Sequence, residues 1–425
     1  MFHERQGYFL SSLSSGGSSP FSRPENMVHQ MIPINIRPAP RASSNSSVMG
    51  RVLVWWSWAA IVGTLAACGS APPVAPSRAP MESFRIPATP AASTATAAPG
   101  RSRWVPVAWE ELPGWGNDSL FEAWNAWLKS CEKPQAPLAA LCGDVRRLSI
   151  GSPQEQLEWM QTRLQPHRVE TPQGESTGLL TSYYEPVLEA RRSPAPGFTV
   201  PLYQAPAGLA QRKPWFTRQE MDTLPEAQTA LRGKALAYLA DPVDALVLQI
   251  QGSGRMRITQ PDGSQRMVRL AYAGTNDQPY RSVGRWLLDQ GLVKDASWPG
   301  IKAWLAQNPQ RQQELLWSNP RVVFFKEEPL GELDAAFGPK GAQGVALTPG
   351  RSIAVDPGSI PYGAPVWLTS NGNQTNLQKL VLAQDTGSAI TGAVRADYFA
   401  GWGPEAAELA GRLRQPLQMW ILWPK

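Results

Sequence analysis

Three aspartates near the C-terminus are the residues best placed to do chemistry. They sit in Ala354-Val355-Asp356-Pro357-Gly358, Ala383-Gln384-Asp385-Thr386-Gly387 and Val394-Arg395-Ala396-Asp397-Tyr398. Asp356 and Asp385 each follow an apolar run and stand just ahead of a glycine. That puts a carboxylate at a strand end, where the backbone can turn and a substrate can approach. A single Asp-x-Gly is ordinarily a turn cap that bonds its own backbone. Three Asp-centred segments so close together point instead to one shared carboxylate site, suited to proton transfer. Other chemistries have little to work with. The only histidines are His3, His29 and His167, and there are three cysteines, which argues against zinc sites rich in His or Cys. A Ser-His-Asp mechanism would rest wholly on His167, which reads as an exposed or satisfied side chain. Gly252-Ser253-Gly254 is followed by no Lys-Ser/Thr pair, so it is no phosphate loop. Neither a metal nor a cofactor is expected.

The elements that must carry these residues are readable in outline. A helical stripe of Phe121, Trp124, Trp127, Leu128 and Cys131 opens the body, and most of the Trp residues at such spacing read as core. Ser152-Pro153-Gln154-Glu155 has the form of a capping box. Residues 178–184 and 245–250 read as strands. Residues 256–259 and 267–273, joined by Pro261-Asp262-Gly263, read as a hairpin. Helical patterns follow at 282–290, stopped by Gly291, and near 298–317. Short apolar runs at 322–325, 352–355, 366–368, 380–383 and 419–422 have the spacing of a closed barrel.

Length and composition set the frame. The 425 residues suffice for two or three domains; 42% are apolar and only 17% charged. Residues 1–100 carry +4 of the net charge of +6, and no long basic run follows, so nucleic acid is not an expected partner. Met49-Gly50-Arg51 precedes an apolar run over 52–67 that ends at Leu65-Ala66-Ala67-Cys68. The run is short for a membrane span and has the layout of an export signal. Its end resembles a lipobox, with Cys68 as the lipidated residue and Gly69 favouring the outer membrane. Residues 1–48 then read either as an over-extended start or as a disordered extension, and the Ala/Pro/Ser/Thr-rich stretch over 69–104 as a flexible tether. Given export, Cys131 and Cys142 are either a disulfide closing a short loop or two buried thiols.

The three Asp segments resemble the Asp motifs of the double-psi β-barrel in the membrane-bound lytic murein transglycosylases, the A family. Gly178-Leu179-Leu180-Thr181-Ser182-Tyr183-Tyr184-Glu185-Pro186 resembles that family's Tyr-Tyr-x-Pro strand. Gln249-Ile250-Gln251-Gly252-Ser253-Gly254 resembles its Gln-Gly-Ser-Gly segment. The segments from Tyr272 to Asn276, from Tyr280 to Gly284 and from Asn319 to Phe325 extend the likeness in order. Ser388 departs from the glycine often found there.

The resemblance implies a mainly β protein. Its double-psi β-barrel would be assembled from residues 105–186 and 326–425. A smaller β-rich substrate-binding domain would be inserted over 187–325, with a large groove between the two. It implies cleavage of the β-1,4 bond between N-acetylmuramic acid and N-acetylglucosamine in peptidoglycan, leaving a 1,6-anhydro end. Asp385 takes the catalytic role, with Asp356 and Asp397 as supporting acids that either tune its pKa or orient the site. Tyr183, Gln251, Gly252, Ser253, Tyr272, Thr386 and Gly387 are the candidate groove residues; Tyr183, Gln251 and Tyr272 read equally as packing or strand residues. The implied partners are glycan strands, the outer membrane through a lipid at Cys68 on its periplasmic face, and cell-wall synthesis or division complexes. Two rivals remain. One is a peptidoglycan-binding lipoprotein without catalysis. The other is an aspartic protease, since Asp385-Thr386-Gly387 also spells that local motif, although a second copy is absent.

Overall fold

The computed structural model describes residues 101–425. The expected export segment, Cys68 and most of the tether lie outside the described residues. The strands in chain order are β1 (Arg103–Pro106), β2 (Leu164–Glu170), β3 (Gly178–Glu185), β4 (Val187–Arg191), β5 (Val200–Tyr203), β6 (Ala235–Leu239) and β7 (Gly254–Thr259). They continue with β8 (Gln265–Thr275), β9 (Val323–Pro329), β10 (Ser352–Val355), β11 (Pro365–Asn371), β12 (Asn376–Asp385), β13 (Arg395–Trp402) and β14 (Arg414–Pro424).

Six strands close a ring in the order β3, β13, β10, β12, β11, β14 and back to β3. The β3–β13 and β10–β12 pairs are parallel and the others antiparallel. This is the double-psi β-barrel, and closure pairs each of the six ring strands on both sides, while β2 and β1 extend the sheet from β14. β14 is long enough to serve three neighbours: β3 at its start, β11 in its middle and β2 at its end. The strand sequences explain the packing. Val366, Leu368, Leu380, Leu382, Met419 and Ile421 are all fully buried, and so are intervening residues such as Trp367 and Val381. The strands therefore read as continuous apolar runs, because helices cover the outside of the barrel.

The helix Leu120–Ser130 supplies part of that cover. Trp124 and Trp127 are buried in it and meet Trp159 edge-on, and Trp124 Nε1 donates to the Val145 carbonyl at 2.8 Å. The structure joins Cys131 to Cys142 as a disulfide, with Cα atoms 5.5 Å apart. β1 begins inside the expected tether: Trp104 is buried and donates to the Ser359 carbonyl, so the fold starts a few residues earlier than composition indicates. His167 lies buried on β2 with Nδ1 3.0 Å from the Gln165 carbonyl oxygen.

The chain between β3 and β10 forms a second sheet, ordered β5-β6-β4-β7-β8-β9. Two sequence expectations are corrected here. Residues 245–250 are not a strand but the body of a helix, Pro242–Gln251. Asp241 caps it, accepting from the Val243 amide at 2.7 Å, and Gly252 ends it in the left-handed region at φ 84°. Ala245 and Leu248 pack on the sheet, whereas Val243, Leu246 and Val247 pack on neighbouring helices. Burial on both sides erases the polar stripe that would have revealed helical period. The run at 322–325 is not a barrel strand; it lies mostly in β9, which pairs with β8. The 298–317 stretch is helical but broken at Asn308-Pro309 into Trp298–Gln307 and Gln312–Trp317.

β3 runs straight into β4 through Pro186, so the two sheets share a joint. Glu185, fully buried there, accepts from Arg255 Nε at 2.8 Å and Arg269 Nε at 2.5 Å. The same two guanidiniums also donate to the carbonyls of Ala335 and Phe337, on the segment that leads back into the barrel.

Candidate active site

Strand register brings two of the three aspartates together. Ala354 on β10 pairs with Asp385 on one side and Asp397 on the other. Asp397 pairs in turn with Thr181 on β3. One level across the barrel thus reads Thr181, Asp397, Ala354, Asp385. Tyr183 lies two residues beyond Thr181 and so projects from the same face of β3. Its hydroxyl donates to Asp385 Oδ2 at 2.8 Å, and the Ala342 amide donates to Oδ1 at 2.9 Å.

Ala342 approaches because Gly341 has no side chain. A Cβ there would lie 2.5 Å from the Gln384 carbonyl oxygen. Gln384, fully buried beside Asp385, donates to the Ala126 carbonyl and to Ser130 Oγ, each at 2.8 Å. The Trp-bearing helix therefore anchors the strand end that carries the carboxylate.

Burial pushes the Asp385 carboxyl above its ordinary range. Hydrogen bonds from the Thr386 amide, Tyr183 and Ala342 pull it down, the charge of Asp397 pushes it up, and the net is a raised pKa. Although protein atoms surround it, part of its surface faces a cavity of about 390 Å³. Burial, helped by Asp385, holds the Tyr183 phenol well above its ordinary pKa, so it remains a donor. Asp397 is also raised by burial, against the opposing Thr181 hydroxyl bonded to it and Arg395.

Asp356 behaves differently. It is buried, and its carboxylate accepts from the Gly358 and Gly392 amides and from Arg101 at 2.8 to 2.9 Å. Burial alone would raise its pKa, but the two amides and the guanidinium outweigh that and hold it below the ordinary value. It ties two loops together and does not line the cavity.

The cavity wall includes every candidate groove residue: Tyr183, Gln251, Gly252, Ser253, Tyr272, Thr386 and Gly387. Gln251 Oε1 also accepts from the Tyr184 amide, Ser253 is buried and Tyr272 is 53% exposed. A second hollow of about 210 Å³, lined in part by Asp397 and Tyr280, shares Arg321, Gly387 and Ser388 with the first. Larger hollows lie elsewhere, but Asp277 and Asp118 in two of them are ion-paired to Lys213 and Arg351, and Asp222 in a third accepts from Trp317 Nε1. Volume alone does not locate the site; the enclosed carboxyl with a raised pKa does. Sequence reasoning missed Ala342, Lys340, Lys326, Arg321 and the role of Thr181. Only Thr181 left a signal, its two-residue spacing from Tyr183. A backbone amide leaves none.

A carboxyl enclosed by protein atoms, raised in pKa and open to a cavity, is the arrangement of a general acid–base catalyst on a double-psi barrel. Known proteins resemble this chain in sequence and fold. The MltA specific insert domain matches residues 179–326 and the 3D domain residues 351–423. The lytic transglycosylase LtgG of Burkholderia pseudomallei is 41% identical, with a TM-score of 0.54, covering 79% of this chain and 98% of that one. MltA from Neisseria gonorrhoeae is 29% identical, with a TM-score of 0.64, covering 78% and 95%. Membrane-bound lytic murein transglycosylase A of Escherichia coli K12 is 36% identical over 254 residues, 57% of this chain. That match spans just under two thirds of the relative, 64% of its length. The chain belongs to the MltA family.

Proposed function

We propose that this protein is a peptidoglycan lytic transglycosylase that uses Asp385 as its single acid–base group. The observation carrying the reading is the Asp385 carboxyl itself: raised in pKa, open to the cavity and without an ion-pair partner among the described residues. Protonated Asp385 donates to the oxygen of the β-1,4 bond as that bond to the N-acetylmuramic acid anomeric carbon breaks. The carboxylate then takes the proton of the same sugar's C6 hydroxyl, which attacks that carbon. Asp385 ends protonated, no water is consumed, and a 1,6-anhydro end forms. Intramolecular attack supplies a high effective molarity. Tyr183 and the Ala342 amide orient the carboxyl through both steps.

In this reading the barrel, expected over 105–186 and 326–425, is the catalytic domain and 187–325 the substrate-binding insert, with the inserted sheet running on to Pro329. Gln251, Gly252, Ser253, Tyr272, Thr386 and Gly387 contact the glycan. The supporting acids divide: Asp397 raises the pKa of Asp385, and Asp356 orients the loops. A lipid at Cys68 anchors the protein to the periplasmic face of the outer membrane, within reach of cell-wall synthesis complexes. A protease dyad needs two carboxyls sharing a proton. Asp356 is committed to Arg101 and two amides, and Asp397 lies two strands from Asp385, roughly 10 Å at the usual strand spacing.

The test is mass spectrometry of fragments released from purified peptidoglycan. Products lighter by one water than hydrolytic ones support the proposal. Ordinary reducing ends would mean a hydrolase with a second carboxylate activating water. Binding without release by the native protein would mean a glycan-binding module.

The pH profile separates the neighbours of Asp385. Protonated Asp385 starts the reaction, so kcat/KM falls as pH rises through its raised pKa. Asp397→Asn removes a charge that favours protonation and moves this fall to lower pH. Tyr183→Phe removes a bond that favours the carboxylate and moves it to higher pH. The Phe variant also loses roughly ten- to a hundredfold in kcat, the worth of one hydrogen bond to a charged group. Shifts in the same direction would contradict these assignments.

A further inference from the structure

The cavity beside Asp385 is lined by three cations, Arg321, Lys326 and Lys340, and by the acids Glu328 and Asp385. Lys326 is paired with Glu328 at 2.8 Å. Among the described residues neither Arg321 nor Lys340 makes a side-chain hydrogen bond or ion pair. Arg321 lies within longer-range reach of Asp277, itself bound to Lys213. The main chain of both residues is nevertheless held. The Arg321 amide donates to Asn319 Oδ1 and its carbonyl accepts from half-buried Arg218 at 2.6 Å. Lys340 forms a bridge with Ala346. Asp385 is hydrogen-bonded by Tyr183 and the Ala342 amide, and by neither of these side chains. Arg321 stands on the wall shared by the two adjoining hollows.

Two anchored, unpaired cations facing a cavity whose acid must stay protonated form a receptor for a ligand carboxylate, and a guanidinium offers it a two-pronged grip. We propose that Arg321 and Lys340 bind a carboxylate carried by the glycan and thereby make the enzyme select acid-bearing strands over neutral ones. This rests on the reading of the cavity as the glycan site. The carboxylate has two possible sources, the lactyl group of a muramoyl sugar stripped of its peptide, or the acidic groups of the attached stem peptide.

The experiment measures binding in an Asp385→Asn background, so it does not depend on turnover. The ligands are neutral chitohexaose, peptide-stripped glycan strands, stem-bearing strands, and stem-bearing strands with amidated carboxylates. The unmodified site is expected to bind the acidic strands more tightly than chitohexaose, with the preference falling as salt is raised. Arg321→Gln with Lys340→Gln should weaken binding of acidic strands by about tenfold or more, the scale of a good charge-assisted contact, and barely change binding of chitohexaose. Loss with stripped strands identifies the lactyl group. Loss confined to stem-bearing strands, and abolished by amidation, identifies the peptide. Equal loss for neutral and acidic ligands, or no loss for either, overturns the proposal. Failure of wild-type protein to release anhydro products would instead overturn the reaction, leaving the charge preference measurable.

Discussion

Asp385→Ala is expected to reduce release of anhydro products by at least about 10³-fold, since one side chain performs both proton transfers and acid–base catalysis is typically worth 10²–10⁴. The measurement is the initial rate of product release, followed by mass spectrometry, beside the native protein. Folding should survive, because the carboxyl is held by a phenol and by amides rather than by a buried cation. Asp385→Asn tests the point more finely: it keeps the shape and the acceptor but removes the transferable proton, and activity should be lost to a similar extent. Residual activity within tenfold of native would mean that another group carries the proton. Asp356→Ala provides the contrast. It frees Arg101 and the Gly358 and Gly392 amides, so its first consequence is a looser pair of loops, read as lower stability.

Glu185→Ala should produce the largest loss of stability. The side chain is fully buried and pairs with two guanidiniums, Arg255 and Arg269, whose side chains are each 7% exposed. Removing it strands two cations against carbonyls alone, and breaking a buried ion pair from one side costs about 3–5 kcal/mol. A shift of the urea midpoint to lower concentration, with the slope unchanged, reads that loss. Arg255 also stacks on Trp402 of β13, with the guanidinium 3.5 Å from the ring centroid, so the loss should reach the barrel as well as the inserted sheet. Glu185→Gln keeps the shape and part of the bonding and should fall between the two. A Glu185→Ala protein as stable as native would show that the guanidiniums find water instead.

The parts that could be read from sequence are those written locally. β10 and β12 are apolar runs that stop at an aspartate, and both end where the pattern ends them. The capping box at Ser152 forms as spelled, Ser152 accepting from the Glu155 amide and Glu155 from the Ser152 amide. The 245–250 run went the other way: its composition suits a strand, but Asp241-Pro242 starts a helix there and Gly252 stops it. Cap residues carried the information that the apolar residues, buried on both sides, had lost.

The sequence by itself determined the mainly β class, the family likeness and those residues around Asp385 that belong to motifs, because each rests on a short contiguous string. Tertiary structure decided which aspartate faces the cavity. Asp356 and Asp385 sit in similar strings, yet Asp356 meets Arg101 from 255 residues away and Asp385 meets Tyr183 from 202 residues away. Two amides and a guanidinium hold one carboxyl below its ordinary pKa, while burial and a second acid, against the hydrogen bond of a phenol, favour the proton on the other. The environment that separates them is assembled by strand register and returning loops, which no local pattern encodes.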